Sequence, residues 1–225
     1  MSLSEKYWDD YYRDKPLVNT VPSDFFKRMV PRLQKGKVLD VGMGDGVHAV
    51  YLAGKGFGVK GVDISSVAVE RALKRAAENN VVIEAKRTDL DMYLFGLMEY
   101  DSLIMTFFRP SVKRYYSEMV RSLKQGGTLL VESCTVSDLK EIIPQDEDYR
   151  NWYFKSNELL HHLQGMRILF YHEGYENGRH VLQCLAEKPL DRDVAKYNAF
   201  DMKSAEKKVD HNDPKAMLEA LFKKK

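Results

Sequence analysis

The segment Val38-Leu39-Asp40-Val41-Gly42-Met43-Gly44-Asp45-Gly46-Val47-His48 places glycines at 42, 44 and 46 between an apolar run and a helix-forming stretch. Without a Cβ, a chain turning there can pass close to a ligand and present helix N–H groups to it. About twenty residues on, Asp63 ends the next apolar run, where a carboxylate can take both hydroxyls of a ribose. The chemistry is nucleotide binding, and charge decides which nucleotide. A dinucleotide brings a pyrophosphate and a third glycine in its binding loop; here Val47 holds that place, and Asp40 and Asp45 bracket the turn. Like charges ~4 Å apart repel by about 4 kcal/mol at an effective dielectric of 20. S-adenosyl-L-methionine, with an ammonium, a sulfonium and a single carboxylate, suits an acidic loop better than NAD does.

These residues need a scaffold of strands and helices in alternation. Lys37–Val41 reads as a buried strand and Val47–Ala53 as the helix after the glycine loop. Gly58–Asp63 is a second strand, and Ser65 or Ser66 caps a helix through Asn79. Val81–Arg87 and Tyr100–Thr106 are further strands; a helix from about Pro110 to Lys124 is stopped by Gln125-Gly126-Gly127, which opens a fifth strand, Thr128–Cys134. Alternation of this kind predicts parallel βαβ units with right-handed crossovers. Farther on, a Ser156-capped helix through Leu163 leads to Met166–His172 and Arg179–Glu187, separated by six residues. No crossover helix fits there, so these strands form an antiparallel hairpin. The expected fold is α/β: a Rossmann-like seven-stranded, mostly parallel sheet closed by a C-terminal antiparallel hairpin.

The chain's 225 residues predict one domain over residues 1–189 and a charged extension over 190–225. In that extension Asp213-Pro214 starts a short helix with Met217, Leu218, Leu221 and Phe222 on one face. Thirty-five Lys and Arg against 33 Asp and Glu leave a net charge of +2, which gives no bulk pull toward nucleic acid or a membrane. The polar, acidic start and the lack of a long apolar run point to a cytoplasmic protein. Cys134 and Cys184 lie apart in apolar runs and read as buried, reduced thiols; no metal-ligand cluster is expected.

Taken in order, several motifs resemble those of class I S-adenosylmethionine-dependent methyltransferases, of the small-molecule branch that includes tellurite-resistance and thiopurine-type enzymes. VLDVGMGDG is similar to the first motif, with Met43 where cysteine is common; GVDIS at 61–65 to the second; TDLDMY at 88–93 to the adenine-contacting one. YDSLIMTFF at 100–108 and LKQGGTLLVES at 123–133 complete the series. The resemblance implies that Gly42, Gly44 and Gly46 line the methionine moiety and that Asp40 lies under the same loop, toward the ammonium or an ordered water. It implies Asp63 on the ribose, Ile64 on the adenine face, Asp89 (or Asp91) on the adenine amino group, and the Leu90 N–H on the ring. Thr106 and Phe107 would then end the fourth strand beside sulfonium and acceptor.

The resemblance leaves the methyl acceptor open. Tyr7-Trp8-Asp9-Asp10-Tyr11-Tyr12 resembles an N-terminal aromatic segment that closes over the pocket, although Trp8, Tyr11 and Tyr12 also have the spacing of an ordinary helix face. Arg109 is a candidate for orienting an anionic acceptor or a salt bridge, and Tyr153 and Phe154 for the far wall. His48 packs or caps locally. The Asp/Asn-Pro-Pro-aromatic motif of amino-methylating DNA enzymes and the Pro-Cys of cytosine-C5 enzymes are missing. A small-molecule acceptor is therefore expected, handled by a monomer or homodimer with no nucleic acid or membrane partner. A non-catalytic module binding S-adenosylmethionine or S-adenosylhomocysteine is the alternative, and a nicotinamide oxidoreductase stands third.

Overall fold

In the computed structural model of the chain the described residues are 3–14, 21–110, 112–136, 153–176 and 178–191. The chain separates into the units Met1–Lys188 and Pro189–Lys225. The expected helix of the extension lies outside the described residues.

The sheet forms where apolar runs alternate with helices. Its strands are β1 (Lys37–Val41), β2 (Gly58–Asp63), β3 (Glu84–Arg87), β4 (Tyr100–Thr106), β5 (Leu123–Cys134), β6 (Arg167–Glu176) and β7 (Arg179–Glu187). They stand in the order β3-β2-β1-β4-β5-β7-β6, parallel except for β7, which runs against both β5 and β6. Strand order reverses between β1 and β4, and the crevice outside the carboxyl ends of strands at such a switch point is where α/β sheets bind ligands. Helices α1 (Leu3–Asp14), α2 (Asp24–Met29), α3 (Val47–Gly54), α4 (Ser66–Glu78), α5 (Lys113–Ser122) and α6 (Glu158–His162) surround it.

Alternate strand residues feed two apolar layers. Leu39, Leu103, Leu129 and Leu182 pack with Tyr116 and Met119 of α5 on one face. Val38, Ile104, Leu130 and Leu185 pack with Phe26 of α2 and Leu52 of α3 on the other. Strands β1, β2 and β4 have the expected bounds.

Several boundaries differ from expectation. Residues 81–83 lie before β3, because the Val81 N–H turns back to the Ala76 carbonyl at the end of α4. β5 begins at Leu123, not Thr128: Tyr100 pairs with Leu123, and the register shifts between Tyr100 and Ser102 as the strand passes Gly126, at φ +74°. Asn157, not Ser156, caps α6, in the left-handed conformation; the Ser156 hydroxyl instead donates to Glu173 Oε2 at 2.6 Å. β6 runs on to Glu176, so only residues 177 and 178 connect the hairpin. The expected six-residue turn is therefore too long, and Asn-Gly at those positions is a two-residue hairpin signal. Cys184 is buried as expected, but Cys134 is partly exposed.

Candidate functional site

The glycine loop joins β1 to α3 with all three glycines in the left-handed region, at φ +69°, +56° and +79°. Each is also closely approached. A Cβ on Gly42 would lie 2.6 Å from the Phe108 ring, one on Gly44 2.5 Å from the Tyr12 hydroxyl, and one on Gly46 2.7 Å from Ala72 Cβ. Met43 turns away from the loop and packs over Gly61 of β2.

Beneath the loop lies Asp40. It stands two residues on from Val38 and so on the same face, where its carboxylate enters the layer beneath α3 and is fully buried, and neither oxygen has a hydrogen-bond partner. Burial, with Asp63 close by, pushes this carboxyl up to about 8. A buried polar group without a partner is costly, and a cationic ligand group would satisfy it. Asp63, at the end of β2, fixes the loop: its two oxygens accept from Gly44 N and Ser65 N, each at 2.9 Å. Each carboxylate oxygen can accept again, so Asp63 can brace the loop and still receive a ligand hydroxyl. Burial raises the Asp63 carboxyl, opposed by those backbone hydrogen bonds.

Asp45 alters the charge balance assumed for the loop. Arg75 of α4 donates to the Asp45 carbonyl at 3.0 Å and to its carboxylate at 2.7 Å. Its charge is thus compensated, and the acidity facing the crevice comes from Asp40 and Asp63. The sequence pattern carried no signal for this pairing.

Helix α1 docks against α4 through Asp9, a residue that residue spacing did not single out. Its buried carboxylate accepts from the Ser65 and Ser66 hydroxyls at 2.6 and 3.1 Å and from Val67 N at 3.3 Å, at the N-terminus of α4. Glu5 pairs with Arg87 of β3. The docking brings the Tyr12 hydroxyl to Gly44, and burial, then the charges of Asp63, Asp45 and Asp40, hold that phenol protonated. Trp8 packs edge-on to Tyr11 and tilted to Tyr12, with centroids 5.2 and 6.2 Å apart.

On the β3 side, Asp89 is exposed, and its carboxylate caps a short 3-10 turn, Leu90–Met92, by accepting from Asp91 N at 3.0 Å. Asp91 faces elsewhere, toward Arg114 at 3.1 Å and the Tyr115 hydroxyl of α5. Ile64 and Leu90 are half-buried.

At the end of β4, Thr106 is buried and its hydroxyl meets His48 Nδ1 at 3.0 Å. His48 also packs edge-on to Phe26, and burial pushes its imidazole down to about 4, so it is neutral at physiological pH. Phe107 follows in the left-handed region, at φ +51°, which is costly for a bulky residue. Its N–H donates to the Glu132 carbonyl at 2.7 Å, and the Arg179 guanidinium lies 4.9 Å from its ring centroid. Arg109 is engaged by Glu158 of α6, at 2.6 and 3.0 Å. Phe154, expected in a pocket wall, belongs to the core with Leu159 and Leu163; Tyr153 beside it is half-buried. Among the described residues no group of His, Cys, Asp and Glu could hold a metal ion. Among them, too, no helix is long and apolar enough to cross a membrane.

Residues 38–127 match the family model of a methyltransferase domain. Over 112 residues the chain is 30% identical to a ribosomal protein L11 methyltransferase of Dictyoglomus thermophilum, covering 49% of this chain and 36% of that protein. Over 120 residues it is 36% identical to a 23S rRNA (uracil(747)-C(5))-methyltransferase of Pyrococcus horikoshii, covering 52% and 26%. The chain thus spans well under half the length of both relatives. In fold it is similar to TehB from Haemophilus influenzae, with TM-score 0.63, 22% identity and coverage of 80% of this chain and 67% of that one. A structure described for the conversion of a disulfide bond into a thioacetal group during echinomycin biosynthesis gives TM-score 0.67, 19% identity and coverage of 89% and 99%. The glycine loop and the strands that flank the switch-point crevice, β1 from Val38 on and β4, lie within the matched residues, and the chain carries a methyltransferase domain over 38–127.

Proposed function

We propose that the chain transfers a methyl group from S-adenosyl-L-methionine to a small-molecule acceptor by direct in-line displacement. The observation that carries the cofactor is Asp40, a fully buried carboxylate with no partner beneath a loop of three glycines. An ammonium, reached directly or through one water, would satisfy it, whereas a pyrophosphate offers Asp40 no donor and would face the Asp63 carboxylate.

In this reading Gly42, Gly44 and Gly46 take the methionine part and Asp63 the ribose hydroxyls. Ile64 packs on the adenine, Asp89 accepts from its amino group, and the Leu90 N–H meets the ring. When bound, S-adenosylmethionine supplies a methyl group activated on a sulfonium. The protein's part is to hold the acceptor in line, about 3–3.5 Å from that carbon, and to keep water out. Trp8 and Tyr12 close the loop side; Thr106 and Phe107 face the reacting groups. The docked aromatic helix favours an acceptor small enough to lie beneath it. The named relatives act on ribosomal protein or rRNA, yet the chain spans only a minor part of either.

Calorimetry with S-adenosylmethionine, S-adenosylhomocysteine and NAD tests the cofactor. The first two should bind and NAD should not; binding of NAD alone would overturn the assignment. Asp63→Ala should weaken S-adenosylmethionine by about 1–2 kcal/mol, the scale of hydrogen bonds lost from a buried ribose. Labelled methyl donor with thiols, amines, phenols and metalloid oxyanions then separates an enzyme from a binding module.

A further inference from the structure

Thr106 of β4, Glu132 of β5, Gln183 of β7 and His172 of β6 are successive register partners across four strands. Register partners present their side chains to one face of a sheet. Two residues toward the sheet interior on that face stand Ile104, Leu130 and Leu185, all in the apolar layer with α2 and α3. The layer turns polar at the carboxyl edge, beside the end of β4. Three members of the row are deep, with Thr106 7%, Glu132 3% and Gln183 3% exposed.

The covering helices close over the row with polar groups of their own. Ser23, the N-cap of α2, donates to Glu132 Oε2 at 2.5 Å. His48 of α3 engages Thr106 through Nδ1, and its Nε2 is buried with no partner, a second polar atom available to a ligand.

We propose that this row is the acceptor side of the site and that Glu132 selects an amine, receiving the proton its nitrogen must lose. The proposal rests on the methyl-transfer reading above. The sign of the local charge argues for it. A cation, Arg179, lies near Glu132 and also over Phe107. Glu176 is close by as well, accepting from Gln183 at 3.3 Å and facing His172 at 3.2 Å. An anionic acceptor ~4 Å from the Glu132 carboxylate would be weakened on the order of a thousandfold at an effective dielectric of 20. An ammonium there is attracted instead. Burial raises the Glu132 carboxyl against the hydrogen bonds that lower it, bringing its basicity nearer that of an amine.

The acceptor enters as R–NH3+ paired with the Glu132 carboxylate, and one N–H proton passes to a Glu132 oxygen. The freed nitrogen lone pair forms the N–CH3 bond while the S–CH3 bond breaks, its electron pair staying on sulfur. The product is R–NH2–CH3+, and the proton on Glu132 leaves to water once the product departs.

The full chain tests this with matched probes. In the presence of S-adenosylhomocysteine, calorimetry compares benzylamine with benzoate; transfer of labelled methyl compares alkyl and aryl amines with carboxylates and metalloid oxyanions. Amines should bind and accept, and anions should do neither. Glu132→Gln should lower transfer to amines at least a hundredfold, flatten the acid limb of the kcat/KM pH profile, and leave S-adenosylmethionine affinity within twofold. Should that variant fail to fold, Ser23→Ala, which removes one hydrogen bond to Glu132, should lower transfer about tenfold and shift the same limb. Anions serving as well as amines, no amine binding or accepting, or a Glu132→Gln or Ser23→Ala protein transferring within threefold of the wild type would overturn the proposal. Failure of the wild type to bind S-adenosylmethionine is a separate result, which removes the underlying reading and this proposal with it.

Discussion

On the side of β1 and β2, the groups facing the crevice come from one stretch, Asp40 to Asp63, and the loop between them is shaped by backbone. On the side of β4, β5 and β7, Ser23, His48, Thr106, Glu132 and Gln183 come from five separate segments and meet through strand register and helix packing. In the proposed reading the first half serves the cofactor through main chain and the second serves the acceptor through side chains. Damage should therefore spread differently. A change in the glycine loop strains the fold itself, whereas a change in the polar row alters chemistry with the sheet left standing.

The largest effect should come from Gly46→Val. Gly46 sits at φ +79° as the N-cap of α3, and a Cβ would lie 2.7 Å from Ala72 Cβ and 3.0 Å from Ala72 Cα. Left-handed strain in a β-branched residue and overpacking against α4 each cost on the order of 1–3 kcal/mol. Urea unfolding should show a loss of about 3 kcal/mol or more; a loss under about 1 kcal/mol would mean that the loop is not held by α4.

Asp40 gives a pH signature that separates the two halves. Its carboxyl rises from 3.8 to about 8 on folding, so the folded state keeps a proton that the unfolded chain releases, and stability falls as pH rises between those values. His48 works in the opposite sense: pushed from 6.5 down to about 4, it makes stability rise with pH over that interval. Below pH 6.5 the two slopes oppose one another. Between about 6.5 and 8 Asp40 acts without that opposition, so stability of the ligand-free protein should decline there, and Asp40→Asn should remove the decline. A cationic ligand favours the carboxylate, so S-adenosylmethionine binding near pH 7 should release a proton, seen as a dependence of calorimetric heat on buffer ionisation enthalpy.

Legibility in the sequence followed the same division. β1, β2 and β4 are apolar runs bounded by glycine or charge, and residue pattern located them to the residue. The loop that joins Asp40, the three glycines and Asp63 is legible because its geometry is local. Val81–Ile83 read as strand because it is β-branched, yet the Val81 N–H closes the end of α4. Gly126-Gly127 read as a break, yet β5 runs through it. Asp9 carries no local signal because its partners lie more than fifty residues away, nor does Arg75, whose anion lies in another element. Glu132 and Gln183 are a single charge and a single amide in apolar runs, and only register sets them beside Thr106.

Asp9→Ala should have an intermediate effect that bears on both halves. The carboxylate joins α1 to the N-terminus of α4 through three hydrogen bonds, while Ser65 still caps Ala68 N. Loss of a cap of this kind costs about 1–2 kcal/mol. If α1 closes the site, S-adenosylmethionine affinity should also fall, by about tenfold. Unchanged affinity with reduced stability would make α1 a strut and remove Tyr12 from the cofactor's surroundings.

The smallest effect separates two carboxylates two residues apart. Asp91 is held by Arg114 and the Tyr115 hydroxyl, facing α5, while Asp89 is exposed and its carboxylate is engaged only in the turn Leu90–Met92 among the hydrogen bonds described. Asp89→Ala should weaken S-adenosylmethionine by about 1 kcal/mol, the net value of one hydrogen bond, roughly a fivefold change in affinity. Asp91→Ala should leave affinity unchanged and alter stability by no more than about 0.5 kcal/mol, as expected at an exposed site. The reverse ranking would mean that the turn rearranges when the adenine arrives, freeing Asp91 from α5. The β3 side of the crevice would then owe its specificity to side-chain movement, as the acceptor side owes its own to side-chain placement, and the backbone-built half would shrink to the glycine loop and Asp63.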